Sequence, residues 1–139
     1  MNYNQKGAGL ITILIIVIVF GAILGGGFLL LNNERSKTRD AKRMADMARI
    51  QAAFELLYND TASYELASSG GCDSAGSLAS QCNLSKYIPT IANIKDPGKY
   101  TYQVSVVPTE DNFEIRFTLE NSYESYLAGV HSLSPSGIK

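Results

Sequence analysis

The sequence lacks most residues from which catalytic and metal sites are built. It contains no tryptophan, one histidine, two cysteines and four prolines in 139 residues. His131, Cys72 and Cys82 leave no complete set of histidine and cysteine ligands for zinc. The motifs of a nucleophile elbow, a zincin helix, a phosphate-binding loop and a redox Cys-x-x-Cys pair do not occur. We therefore predict no enzymatic activity, no cofactor and no metal, with calcium at the acidic loop of residues 110–112 as the minor alternative. We expect His131 to be a half-buried strand residue.

Charged residues are missing from residues 8–31, where Thr12 is the only polar side chain in 24 positions. A helix of that length reaches about 36 Å, against roughly 30 Å of hydrocarbon in a bilayer. The run is longer than the apolar region of an ordinary secretory signal. We predict a transmembrane helix over residues 8–31, with membrane lipid as its surroundings, preceded by a leader over residues 1–7 that is cut off before a retained anchor.

Residues 32–60 carry a pattern that predicts an amphipathic extension of the same helix. Its apolar side chains recur at spacings of three and four, at Met44, Met47, Ile50, Phe54, Leu57 and Tyr58. These positions fall within roughly 140° of the helix circumference, the width of a face that packs on a core. We expect this face to cover a globular head formed by residues 61–139.

A basic face lies at the start of this extension, because Arg35, Arg39 and Arg43 stand four residues apart. Acidic residues interleave with them at pairing distance, namely Glu34, Asp40 and Asp46. We interpret the face as solvated and partly ion-paired. The net charge of −1 adds no general attraction to polyanions, so nucleic acid is not favoured as a partner.

The head contains a loop rich in serine and glycine, residues 68–81, with Cys72 inside it and Cys82 at its edge. We predict a disulfide between these two cysteines, with two free thiols as the alternative. Closing so short a loop stabilises a fold by about 3 kcal/mol on the chain-entropy model, provided that the compartment is oxidising.

Two segments of the head alternate apolar and polar residues, as half-buried strands do. Residues 99–107 place Tyr100, Tyr102, Val104 and Val106 on one face, and residues 113–119 do the same with Phe113, Ile115, Phe117 and Leu119. Residues 108–112 form the connecting loop, and residues 126–132 are a candidate third strand. The predicted class is α+β, with a long N-terminal helix packed against a small antiparallel sheet.

The residues around the start of the apolar run resemble the cleavage motif of type IV pilins and type II secretion pseudopilins. Lys6, Gly7, Leu10 and Ile11 match that motif, whereas Ala8, Gly9 and Thr12 replace the usual large residue, Thr and Glu. Residues 39–47 and 50–60 are similar to the helix that follows the membrane span in pseudopilins. The resemblance covers about the first 60 residues.

The resemblance implies that a prepilin peptidase recognises Lys6 and Gly7, cuts between Gly7 and Ala8, and that Ala8 is then methylated. It also implies assembly with other pilin-like subunits through the apolar helix. Thr12 occupies the place of a glutamate thought to neutralise a neighbour's amino terminus, which predicts a minor subunit, with a divergent major subunit as the alternative. The glycines at 25–27 have two interpretations, close packing of neighbouring helices or a segment that unwinds on polymerisation.

The placement of the head is open to two opposing arguments. Six lysines and arginines follow the predicted span within twenty residues and only Lys6 precedes it, a distribution that favours a cytoplasmic head. The leader resemblance and the cysteine pair favour export, and we predict a single-pass protein of the cytoplasmic membrane with an extracytoplasmic head. A subunit of a pilus or secretion filament is preferred to a single-span protein with an independent binding domain, a DNA-uptake pseudopilin or an anchored enzyme.

Overall fold

The fold begins with one continuous helix, α1, at Gln5–Thr61. The computed structural model describes the backbone of residues 5–139 and the side chains of residues 12–22 and 33–139. The helix passes through Gly25, Gly26 and Gly27 without interruption. The chain divides into two compact units, with the boundary between Arg35 and Ser36.

The second unit contains a four-stranded antiparallel sheet. Its strands are β1 at Gln103–Val106, β2 at Glu114–Leu119, β3 at Gly129–Ser134 and β4 at Gly137–Ile138. Each strand pairs with the next along the chain, in the order β1-β2-β3-β4. Together with α1 the sheet gives an α+β fold, as the sequence predicts.

The core lies between one face of the sheet and the head portion of α1. The predicted inward residues Phe113, Ile115, Phe117 and Leu119 are all buried. Phe54 of α1 stacks on Phe113 with ring centroids 3.8 Å apart. Such contacts join the predicted helix stripe to the predicted strand face, so the helix supplies the cover that a small sheet needs.

A bulge alters the first strand. Tyr102 and Val104 are buried as predicted, but the pairing of β1 with β2 shifts between Val104 and Val106. An extra residue turns the following side chain to the other face. Val106 is consequently exposed, and its predicted inward orientation is wrong.

Other boundaries differ from the pattern-based prediction. The third strand is Gly129–Ser134 rather than residues 126–132, and β4 pairs with its end through a turn at residues 135–136. Tyr58 is exposed because it leaves the buried arc of α1, although its ring lies 4.8 Å from that of Tyr64. His131 is a half-buried residue of β3, which confirms the prediction for it.

The segment between α1 and β1 is built from short 3₁₀ helices at Glu65–Gly70, Ala79–Gln81 and Ile91–Asn93. Cys72 and Cys82 form the predicted disulfide, with Cα atoms 4.8 Å apart. Gly70 permits the close approach of this loop's two sides, since a Cβ there would lie 2.8 Å from the Asn83 nitrogen. The loop is therefore held covalently and by tight backbone packing.

In the part of the chain whose side chains are described, no helix has both the length and the apolar character required to cross a membrane. Residues 8–11 and 23–31 of the predicted span lie outside those described side chains.

Candidate functional site: an apolar helix segment and a buried ion network

An apolar segment of α1, residues 13–20, exposes every one of its side chains. The exposed fractions of these eight consecutive isoleucine, leucine, valine and phenylalanine residues lie between 49% and 64%. Eight successive helical residues cover more than two turns, so the apolar surface surrounds the helix instead of forming one stripe. Exposed apolar surface of this extent is typical of sites that contact another protein or lipid.

Thr12, the predicted assembly residue, directly precedes the apolar segment and is exposed on α1. The predictions for Lys6, Gly7 and Ala8 fall outside the described side chains. Thr12 therefore lies next to an exposed apolar segment, and its role in assembly stays a prediction, as do the cleavage and methylation positions.

A buried ion network occupies the beginning of the head unit, with Arg43 at its centre. The Arg43 side chain is fully buried and donates from Nε and Nη2 to the two carboxylate oxygens of Asp96, at 2.6 and 2.9 Å. Its Nη1 donates to Asp40 Oδ1 and to Glu120 Oε1, each at 2.7 Å. One guanidinium of α1 thus binds three carboxylates, two of which come from distant parts of the head.

Neighbouring groups complete the network. Arg39 forms a bidentate pair with Glu120, with Nε 2.7 Å from Oε1. Asp40 accepts hydrogen bonds from the backbone N–H groups of Glu120 and Asn121, at 2.9 and 2.8 Å. The segment that follows β2 is therefore bound to α1 through both side chains and backbone.

Asp96 is held by its own local turn. Its Oδ1 accepts from the Gly98 N–H at 2.7 Å and from the Tyr100 N–H at 3.3 Å. Gly98 leaves room for this pair, since a Cβ there would lie in tight contact with Arg43 Nη2, at 3.0 Å. The Tyr100 ring lies 5.2 Å from the Arg43 guanidinium carbon and covers the pair with a cation–π contact.

The regular spacing of α1 brings these charges to the core. Its buried positions follow one another at intervals of three and four, through Asp40, Arg43, Met47, Ile50, Phe54 and Leu57. Residues at this spacing share one face of a helix. The face of α1 that packs on the head is thus ionic at its N-terminal end, at Asp40 and Arg43, and apolar from Met47 onwards.

The electrostatics agree with this geometry. Hydrogen bonding from Arg39 is the main cause that lowers the pKa of Glu120 to about 2. Burial opposes ionisation of Asp40 and Asp96, yet hydrogen bonds hold the pKa of each below its ordinary value. Burial also opposes charge on Arg43, but its carboxylate partners raise its pKa. All four groups are therefore charged at neutral pH.

The interpretation of the basic face as solvated is wrong for Arg43, Asp40 and Asp46, which are buried. The predicted pairing within the helix is confirmed for Asp40 with Arg43, whereas Asp46 pairs with Lys42, which the prediction did not include. Because Arg39 and Arg43 are occupied by carboxylates, they add no support for binding nucleic acid phosphates. The signal available in the sequence was the three-and-four spacing, which continues from Met47 back to Arg43 and Asp40.

Comparison with protein-family models, with curated proteins and with solved structures found no match to this chain.

Proposed function

We propose that the chain is a structural subunit, present as a minor component, of a type IV pilin-like filament, anchored in the cytoplasmic membrane before assembly. The exposed apolar segment at residues 13–20 carries the proposal. Burying it in lipid or among neighbouring helices removes apolar area from water at about 25 cal/mol per Å². A helix that is apolar on all sides is suited first to the lipid of the membrane and then to the neighbouring helices of a filament.

The remainder of the chain suits a subunit that displays its head outside the membrane. The head has its own core, a disulfide and a network that binds it to the same helix. A disulfide persists in oxidising compartments, which supports an extracytoplasmic head despite the basic residues that follow the apolar run. Other pilin-like subunits and a prepilin peptidase are the partners that this proposal requires.

Leader removal tests the proposal. In cells with an active prepilin peptidase, mass spectrometry of the membrane-extracted protein should find Ala8 as the amino terminus, carrying a methyl group. The variant Gly7→Val should retain residues 1–7, because it removes the glycine that matches the cleavage motif directly before the proposed cut. Gly9→Ala, two positions away, is the matched control and should be processed like the wild type.

Retention of residues 1–7 in the wild-type protein of such cells would contradict the proposal and favour a plain single-span anchor. Purified surface filaments give an independent measurement, since the processed chain should be found in them. Processing without recovery in filaments would also count against a structural subunit.

A further inference from the structure

A tight hairpin just before β3 presents an exposed leucine. Tyr123 and Tyr126 exchange two backbone hydrogen bonds of 2.9 Å, with Glu124 in the turn between them. Leu127 follows and is 74% exposed, the largest exposed fraction among the large apolar residues described. His131 Nε2 lies 2.7 Å from the Leu127 carbonyl oxygen, so the backbone that carries this side chain is held in place.

The same hairpin carries one charge. Glu124 is the only charged residue in positions 121–128 and is exposed. Its φ of +51° belongs to the left-handed region, which is uncommon for residues other than glycine and asparagine. Strained backbone of this kind clusters where a chain makes specific contacts.

A pocket that shares no residue with the hairpin matches this leucine in size and character. It lies beside the start of β1, has a volume of about 210 Å³ and is walled by Leu78, Ile94, Tyr100 and Tyr102. A cavity of about 150 Å³ lined by apolar residues holds a benzene ring. The pocket is thus large enough for the branched end of a leucine side chain.

The rim of the pocket carries the opposite charge to the hairpin. Lys95 lines the pocket, and Lys99 Nζ lies 5.3 Å from the ring centre of Tyr100, another lining residue. Both lysines are exposed. Asp96, the acidic residue of the lining, already binds Arg43 with both carboxylate oxygens. If an apolar side chain enters the pocket with a carboxylate beside it, the negative carboxylate comes close to two positively charged lysines, which attract it.

The geometry points to a contact between two copies of this chain: we propose that Leu127 of one copy enters the pocket beside β1 of the next, with Glu124 paired to Lys95 or Lys99. The pocket lies beside the start of β1 and the hairpin directly precedes β3, and β2 separates these two strands in the sheet. When the hairpin of one copy binds the pocket of the next, a free hairpin remains at one end of the pair and a free pocket at the other. Further copies can therefore add in a row.

This inference rests on the proposed function, because the apolar helices of a filament hold heads at high effective concentration. A small contact of one leucine and one ion pair is then sufficient, although it would be weak between free molecules. For a minor subunit the contact predicts that the copies lie next to one another in a short row.

Zero-length coupling of carboxylates to amines by a carbodiimide tests the contact on the unaltered full-length chain in native membranes at its natural expression level. We expect a ladder of covalent dimers and higher oligomers, with Glu124 joined to Lys95 or Lys99 in the peptide analysis. A mixture of light and heavy isotope-labelled copies, co-expressed, distinguishes links between chains from links within one chain.

Variants separate the two parts of the contact. Leu127→Thr should lower the yield of these products at least tenfold, whereas Val130→Thr, at another exposed apolar position of the same region, should leave it unchanged. Glu124→Asn tolerates the left-handed backbone but removes the carboxylate, and should abolish the product. An unchanged midpoint of chemical denaturation, measured on the detergent-extracted full chain, shows that the head of each variant is folded.

Three outcomes would overturn the inference: no coupling of Glu124 to either lysine, coupling of Glu124 to a different protein, or coupling that appears only on overproduction. Filament recovery and leader removal are measured in the same cells. If both persist without the coupled product, the contact is wrong and the filament proposal stands. If both are absent from the wild type, the filament proposal itself fails.

Discussion

Arg43 shows how a buried charge can be tolerated by a small head. Three carboxylates and two guanidiniums meet around it, which leaves one net negative charge. Four backbone N–H groups donate to two of the carboxylates, those of Asp40 and Asp96. A buried ion that lacks such partners is strongly unfavourable, and hydrogen bonds from the backbone offset the excess charge.

Replacing Arg43 by methionine should destabilise the head by about 3–5 kcal/mol, because it leaves buried carboxylates without their cation. Arg43→Lys keeps the charge but loses the forked geometry, so its loss should be smaller. Chemical denaturation of the detergent-extracted full chain measures both. Arg35→Met on the exposed part of the same helix is the control and should leave the midpoint unchanged. A wild-type midpoint for Arg43→Met would show that the network contributes nothing.

The pH dependence of stability should reflect Glu120, whose pKa is lowered from 4.5 to about 2. A carboxyl group with a depressed pKa in the folded state stabilises the fold above its unfolded pKa and loses this contribution as pH falls through the folded value. Stability should thus decline as the pH falls from about 4.5 towards 2, in the same direction as the losses from Asp40 and Asp96.

The variant Glu120→Gln should flatten this decline, and Glu65→Gln, at an exposed position, should not. Thermal unfolding at a series of pH values measures the slopes. A decline of equal size in Glu120→Gln and wild type would remove Glu120 from the explanation.

At the scale of elements, periodicity predicted most of what depends on one segment alone. The helix and the alternating faces of β2 follow from spacing, and the disulfide follows from two cysteines in one loop. The bulge at Val106 depends on how β1 meets β2, which is a property of the pair and not of either strand. β4 is only two residues long, too short for alternation to indicate a strand.

The ion network was missed for a different reason. Charged residues are usually exposed, so a pattern of arginines on a helix predicts a solvated face. Burial of Arg43 requires acceptors from residues 96 and 120, more than fifty positions away. No local pattern contains that information, although the continued three-and-four spacing places Arg43 on the packed face.

The disulfide should be closed in protein taken from cells, and its reduction should cost the head roughly 2–4 kcal/mol, because the unfolded chain gains freedom. Both cysteines are buried in the folded head. Thiol labelling under denaturing conditions, with and without reductant, measures the bridge, and denaturation measures the loss. The double variant Cys72→Ser with Cys82→Ser is the control, since its stability should not respond to reductant. Two freely reactive thiols in the wild type would contradict an oxidising location.

At the scale of the whole molecule, Thr12 sets the expected share of this chain in a filament. An unpaired charge in hydrocarbon costs several kcal/mol, so a neighbour's amino terminus gains from an acidic partner that Thr12 does not provide. Purified filaments should therefore contain the chain at low stoichiometry, which quantitative mass spectrometry measures. Deleting the chain should lower the number of filaments more than it changes their composition. Thr12→Glu should raise its share severalfold, and Thr12→Gln, equal in size but neutral, should not. Filaments built mainly of the wild-type chain would overturn the minor-subunit proposal.

The two-part face of α1 also fixes where the head can sit along the helix. Sliding the helix by one heptad would carry Arg43 into the place of Ile50, among apolar side chains, and would bring Ile50 to the place of Leu57 without any comparable loss. An entirely apolar stripe would tolerate such a slip far better, since one large aliphatic residue fills the site of another. The buried ions therefore fix the register between the helix and the head. They raise the free energy of every displaced register more than they lower the free energy of the correct one.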